Sequence, residues 1–232
     1  MADQIIQIDV PNNATDIVIF VHGFGVRYDS RGMFTDIKAG LPNNFGTVLF
    51  DLNNFSGNDV YLATIKDQAM VLQKIFKQVT IKYPKKTVHI IAHSMGCIVA
   101  SIAKLSVDGN VILLTPPDNF GGDHLESYFR NYKGAVQKGK ILTVPRKDGT
   151  ISHIPVSFFK ELAEIDPIGS ILDYAQTKIL HIIQTTRDEL IGTTDYSKLS
   201  KLTNITKVSS DHNFTGENRD NLIKTISDIL KK

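Results

Sequence analysis

The chain has 232 residues, 42% of them hydrophobic and 22% charged, and its 26 Lys and Arg against 24 Asp and Glu leave a net charge of +2. That composition can bury a sizeable core and excludes a disordered or fibrous chain, while a near balance of charge without basic blocks argues against nucleic acid as a partner. Cys97 is the single cysteine, so no disulfide framework can form, and no metal site can be built from a lone thiol without several convergent histidines.

Residues 1–10 alternate polar and apolar side chains and lack the basic start and unbroken apolar run of a signal peptide. No segment approaches the ~18 apolar residues of a membrane span, so no membrane span and a cytoplasmic location are expected. Residues 5–10 read as an edge strand. Residues 17–21, 47–50, 88–92, 111–114 and 179–183 are unbroken apolar runs, which marks strands buried on both faces, and a weaker strand covers 202–208. Between them, residues 61–83 carry Leu62, Ile65, Ala69, Leu72, Ile75, Phe76 and Val79 at the three-and-four spacing of a helix packed on a sheet. The last helix repeats it with Leu222, Ile223, Ile226, Ile229 and Leu230. Strand and helix in alternation predict an α/β fold, a mostly parallel sheet flanked by helices, in one domain over 1–232.

Residues 116–176 break the alternation. Two short strands are predicted within 141–154 around Asp148-Gly149, a pair that favours a tight hairpin. A helix follows over 156–165, stopped by Asp166-Pro167, and a shorter one over 168–175. About sixty residues exceed a plain connection of ~2–6; they form a small cap inserted between the later core strands.

After the strand at 88–92 come Ala92-His93-Ser94-Met95-Gly96 and an apolar helical run. A serine on a sharp strand-to-helix turn needs small residues two before and two after it, because strand and helix approach closely there; Ala92 and Gly96 meet that need. The turn lifts the Ser94 hydroxyl above the sheet at a helix N-terminus, where negative charge is stabilised. A plain serine N-cap is the simpler alternative. A nucleophilic serine needs a base. His89 and His181 fall inside strands, His93 adjoins the serine, His22 opens His22-Gly23-Phe24-Gly25, and His124 and His153 fall in the insertion. His212, in the loop between the last strand and the last helix, is left to reach Ser94. The base needs a carboxylate to hold its tautomer. Asp188, at the end of the 179–183 strand, is preferred, with Glu189 and Asp118 as alternatives and Asp211 read as a turn former. The backbone N–H groups of Phe24 and Met95 would form an oxyanion hole. A phosphate loop at 22–25 is disfavoured, since no Lys-Ser/Thr follows it.

In order along the chain, His22-Gly23-Phe24-Gly25, Ala92-His93-Ser94-Met95-Gly96, Asp188 and Asp211-His212-Asn213-Phe214 resemble the α/β-hydrolase superfamily. The hairpin at 140–156 and Ser157-Phe158-Phe159 resemble the small lid of bacterial cinnamoyl and feruloyl esterases and monoacylglycerol-lipase-like enzymes. Ala92 replaces the first glycine of the elbow pattern, and residues 51–58 are poorer in glycine than the corresponding loop. The resemblance implies a serine carboxylesterase acting on a small-molecule ester through Ser94, Asp188 and His212, with no cofactor. His22, Gly23, His93, Phe158 and Phe159 are expected at the substrate, although the two phenylalanines could equally pin the cap to the sheet. A thioesterase or other acyl hydrolase, or a ligand-sensing protein of the same fold, are the alternatives; the oligomeric state stays open, a homodimer included.

Overall fold

The computed structural model describes residues 6–120 and 123–231, and the side chains from residue 7 to 120 and from 125 to 231. Ile5 and His124 of the readings above lie outside what is described, Ile5 entirely and His124 for its side chain. A seven-stranded sheet forms the centre, in the order β1 (Ile6–Asp9), β3 (Phe45–Phe50), β2 (Asp16–Val21), β6 (Thr87–His93), β7 (Val111–Leu114), β11 (Leu180–Thr185) and β12 (Thr203–Val208). All neighbours pair in parallel except β1, which runs antiparallel on the edge.

The unbroken apolar runs have a simple cause. Successive side chains of a strand point to opposite faces, and both faces are covered. Ile17, Ile19 and Val21 of β2 join the core beneath α2 (Ile65–Lys82) and α3 (Met95–Ala103), whereas Val18 and Phe20 join the core beneath α1 (Met33–Gly40) and α7 (Glu217–Leu230). The helix at 33–40 is not among the elements expected from the sequence. The second helix also starts later than expected. Tyr61 belongs to a strand, and α2 begins at Ile65 because Thr64 caps it, its hydroxyl accepting from Asp67 N–H at 3.2 Å. The Glu161 carboxylate takes the next free amides, Ile65 N–H at 2.8 Å and Lys66 N–H at 3.0 Å.

Between β7 and β11 lie α4 (Asp123–Arg130), β8 (Val136–Lys138), β9 (Ile141–Pro145), β10 (Ile151–Pro155), α5 (Val156–Glu164) and α6 (Pro167–Ala175). The β9–β10 hairpin is part of a second, five-stranded sheet in the order β4 (Asn54–Ser56), β5 (Asp59–Tyr61), β10, β9, β8. Two of its strands thus come from the segment before α2, and β5 pairs with β10 in parallel, Asp59 opposite Ile151 and Tyr61 opposite His153.

The chain turns left from β2 to β3 and right from β6 to β7 across the sheet. A switch of direction of this kind opens a crevice at the carboxyl ends of the two central strands.

Candidate active site

The carboxyl end of β6 carries Ser94 at φ 54° and ψ −128°, a left-handed conformation that non-glycine residues rarely adopt. The turn is held by the Ser94 N–H bond to Leu114 O at 2.9 Å. Gly96 makes it feasible: a Cβ there would lie 2.4 Å from Val21 O and 2.5 Å from His22 O, both backbone atoms that cannot step aside. Gly23 serves the same end from β2, since its Cβ would stand 3.1 Å from Ser94 Cβ. Met95 occupies the first position of α3, where an N–H has no partner within the helix.

His212 Nε2 lies 2.9 Å from Ser94 Oγ, and its Nδ1 lies 2.7 Å from Asp188 Oδ2. An ionised carboxylate only accepts, so Nδ1 carries the proton and Nε2 is free to accept from the serine hydroxyl. The Asp188 carboxylate also accepts from Thr185 Oγ1 at 2.9 Å, Leu190 N–H at 3.0 Å and Ile191 N–H at 2.9 Å. Burial by itself would raise the Asp188 pKa; the bonds from His212, Ile191 and Leu190 outweigh it and leave the pKa below the usual carboxylate value. The other acids have different duties. Glu189 Oε2 accepts from the backbone N–H of His212 at 3.0 Å, Asp118 accepts from Asp195 N–H at 2.8 Å, and Asp211 caps the turn to Thr215 through that residue's N–H at 2.8 Å and its hydroxyl.

Two buried histidines frame the serine. His93 Nε2–H donates to His212 O at 3.0 Å, which leaves Nδ1 to accept from the Ser30 hydroxyl at 3.4 Å. Burial, reinforced by the neighbouring His212, pushes its pKa down to about 3. His22 does not reach the cavity at Ser94. Its ring is fully buried, with Nδ1–H donating to Gly23 O at 2.9 Å and Nε2 accepting from Leu52 N–H at 2.8 Å, so both nitrogens are committed to backbone and burial lowers its pKa to about 4. Phe158 and Phe159 are also absent from the cavity wall. Their helix turns its apolar face onto the core, Phe158 meets Phe24 at 5.7 Å between ring centroids, and Phe159 meets Phe129 at 6.2 Å.

The cavity at Ser94 holds about 140 Å³, with Gly23, Phe24, His93, Leu190 and His212 in its wall. Two arginines complete the wall, Arg31 and Arg146. Neither has a local sequence signal: Arg146 comes from the β9–β10 hairpin, 121 positions from Gly25, the residue whose carbonyl it binds. A third arginine supports the histidine loop from beneath: Arg219 donates to Phe214 O at 3.0 Å and Asn213 O at 2.9 Å and pairs with Asp36 at 2.6 Å. Among the described residues, no group of three or more His, Cys, Asp and Glu is placed to hold a metal ion, and no helix is long and apolar enough to cross a membrane.

A model of the family described as alpha/beta hydrolase of unknown function (DUF900) matches residues 2–112. A probable lysophospholipase of Arabidopsis thaliana, BODYGUARD 2, is 32% identical over 113 residues, 45% of this chain and 23% of that protein; BODYGUARD 1 is 29% identical over 121 residues and 25% of its length. The chain therefore spans about a quarter of the curated relatives it matches. Solved structures match over its whole length. Est1E from Butyrivibrio proteoclasticus aligns with a TM-score of 0.70 at 14% identity, covering 100% of this chain and 96% of that one. The alpha/beta hydrolase GrgF from a Penicillium species gives 0.71 at 12%, covering 100% and 98%. An esterase of Pyrococcus furiosus gives 0.64 at 16%, covering 99% and 91%.

Proposed function

We propose that the chain, an α/β hydrolase by fold, is a serine carboxylesterase that cleaves small or medium acyl or aryl esters. The observation that carries this reading is the unbroken line of hydrogen bonds from Asp188 through His212 to Ser94. His212 Nε2 takes the hydroxyl proton as Ser94 Oγ attacks the ester carbonyl, and Asp188 holds the tautomer and stabilises the imidazolium that forms. The charge that develops on the carbonyl oxygen is met by the Phe24 and Met95 N–H groups, next to the positive end of α3. Collapse of the tetrahedral intermediate expels the alcohol with the proton from His212. Water then attacks the acyl-Ser94 carbonyl, losing its proton to His212, and the acid leaves as the C–O bond to Ser94 breaks and His212 returns the proton to Ser94 Oγ. No step calls for a metal or a cofactor.

A cavity of about 140 Å³ is small beside the ~300–1,000 Å³ of sites for drug-sized ligands, which favours a compact group at the reacting carbon. We assign the insertion at 116–176 the role of a cap that closes this space through Arg146. The esterase and hydrolase names of the relatives point to the same chemistry.

The test is hydrolysis of p-nitrophenyl esters from acetate to long acyl chains by the wild type and by Ser94→Ala, with the fold of each checked by circular dichroism. The reading expects turnover by the wild type and loss to background in the folded variant. Turnover that survives in Ser94→Ala, or a folded wild type inert on every oxygen ester, would overturn it and move the search to thioesters or to a ligand-sensing role.

A further inference from the structure

We propose that Arg31 and Arg146 bind an anionic group, carboxylate or phosphate, on the ester substrate, so that this chain prefers charged esters to neutral ones. The proposal rests on the esterase reading and refines its substrate class. It begins from an imbalance of charge. The wall of the cavity at Ser94 contains two guanidinium groups and no carboxylate. Asp188, behind His212, is already saturated by His212, Thr185 and two backbone amides. Glu189 is turned to the backbone of His212.

Each arginine is fixed by means that leave donors to spare. Arg146 stands at the bend of the cap hairpin, where its Nη1 donates to Gly25 O at 2.7 Å and its guanidinium carbon lies 5.8 Å from the centre of the Phe24 ring. One of its five N–H donors is used by that bond, in a fork shaped for bidentate contact with a carboxylate or phosphate. Arg146 is mostly buried, and burial lowers its pKa from the ordinary value, against the pull of Asp148. A partly desolvated cation beside a cavity is where an incoming anion gains most, since the local dielectric is low.

Arg31 is delivered by backbone strain. Residues 30–32 all have positive φ, 49° at Ser30, 58° at Arg31 and 84° at Gly32, and two of the three are not glycine. A side chain with a Cβ adopts such backbone angles only where the surrounding structure enforces them. The turn sends Ser30 inward to His93 and Arg31 to the cavity wall. The carboxylate facing Arg31 is Asp148 Oδ2 at 3.0 Å, in a pair about half exposed on both sides. Exposed pairs of this kind hold weakly, so a substrate anion can compete for Arg31. Asp148 itself remains anchored by Thr150 Oγ1 at 2.6 Å and Thr150 N–H at 3.1 Å. Beyond Arg31 the charge changes character. The adjoining cavity of about 260 Å³ shares Val26 and Arg31 with the first, but adds Arg27, Asp29 and Asp148, so its cations and acids offset one another. Of these two cavities, the one that holds Ser94 carries the excess of positive charge.

The experiment compares matched esters. 4-Acetoxybenzoate and 4-acetoxyphenyl phosphate against methyl 4-acetoxybenzoate place the anion on the alcohol side, and mono-p-nitrophenyl adipate against p-nitrophenyl hexanoate places it on the acyl side. At least one anionic member should exceed its neutral partner in kcat/KM by about tenfold or more, with the excess shrinking as salt is raised. The carboxylate and phosphate arms identify which anion is preferred. Arg31→Gln and Arg146→Gln should bring the charged-to-neutral ratio toward one, while Asp148→Asn, which releases Arg31, should raise it. The last variant separates recognition from mere support of the loop, which would lower both activities together. Equal turnover of charged and neutral members, or a ratio unmoved by all three substitutions, would overturn the proposal. Turnover of neutral esters that disappears in Ser94→Ala reports on the esterase reading independently.

Discussion

The ring of His93 donates through Nε2 to the carbonyl oxygen of His212, 3.0 Å away, across 119 positions of sequence. With Glu189 on the His212 N–H, Asp188 on Nδ1 and Ser94 on Nε2, every polar group of His212 is engaged, backbone and ring alike. The proposed base is thus oriented by its peptide as much as by its carboxylate.

Removing the His93 donor leaves the His212 carbonyl buried without a partner, which costs about 1–3 kcal/mol. His93→Phe should therefore unfold at lower urea concentration and show a fall in kcat of roughly tenfold with little change in KM, because the substrate still binds while the base is loosened. Urea titration and steady-state kinetics on one short-chain ester check both halves.

Asp188 and Glu189 are neighbours in sequence with separate duties, and substitution should separate them. Asp188→Asn can still accept from Leu190 and Ile191, but it no longer selects the Nδ1–H tautomer of His212, and kcat should drop by on the order of 10⁴. Glu189→Gln keeps an acceptor for the His212 N–H and should lose less than about tenfold. A larger loss in Glu189→Gln than in Asp188→Asn would reassign the acid.

His22 and His93 make stability depend on pH. Their folded pKa values, about 4 and about 3, lie below the ordinary histidine value of 6.5, so the unfolded chain binds protons that the folded chain refuses. The stability they contribute is complete above about pH 6.5 and is lost as pH falls toward the folded values. Over that window each group contributes a slope of about 1.4 kcal/mol per pH unit. Unfolding free energies at about pH 7, 6 and 5 should fall steeply, and His22→Asn should flatten the fall by about one group's share. Asp188, with its lowered pKa, adds a further loss only in the acid range below the ordinary carboxylate value.

Two glycines should behave differently when replaced. Gly96→Ala drives a Cβ against the carbonyls of Val21 and His22, and with no side chain to yield, a loss of about 3 kcal/mol or more is expected. Gly57, at φ 57° with nothing within 4 Å, lacks that obstacle, and Gly57→Ala should cost only the ~1 kcal/mol of its left-handed backbone. Thermal melts should show the first variant several degrees below the second.

What could be read from the sequence follows from which contacts are local. The turn at Ser94 was legible because its steric demand falls on Ala92 and Gly96, two positions away on either side. The central strands were legible because burial on both faces removes polar residues from a continuous run. The start of α2 was misplaced although Thr64 and Asp67 form a recognisable cap, because the apolar spacing continues back through Leu62. β4 and β5 escaped for a different reason: three-residue strands have no measurable period, and β10, the partner of β5, lies about ninety positions on. The orientation of His22 is a further case. A histidine beside a glycine at a strand end looks the same in sequence whether its ring turns to the cavity or, as here, back to Leu52 N–H. The bonds from His93 and Glu189 to the distant backbone of His212 leave no trace in composition or spacing.

The parallel ladder between β5 and β10 has a consequence for rebuilding the molecule. A module that could be exchanged between hydrolases would have to be a single insertion with its own hydrogen bonds, and 116–176 is not one: strand β10 takes its outer partner from residues 59–61. Transplanting the insertion alone would leave an open strand edge on the graft and a stranded hairpin on the host. Any chimera has to carry residues 54–61 and 116–176 together, and specificity in this scaffold is inherited as a pair of segments.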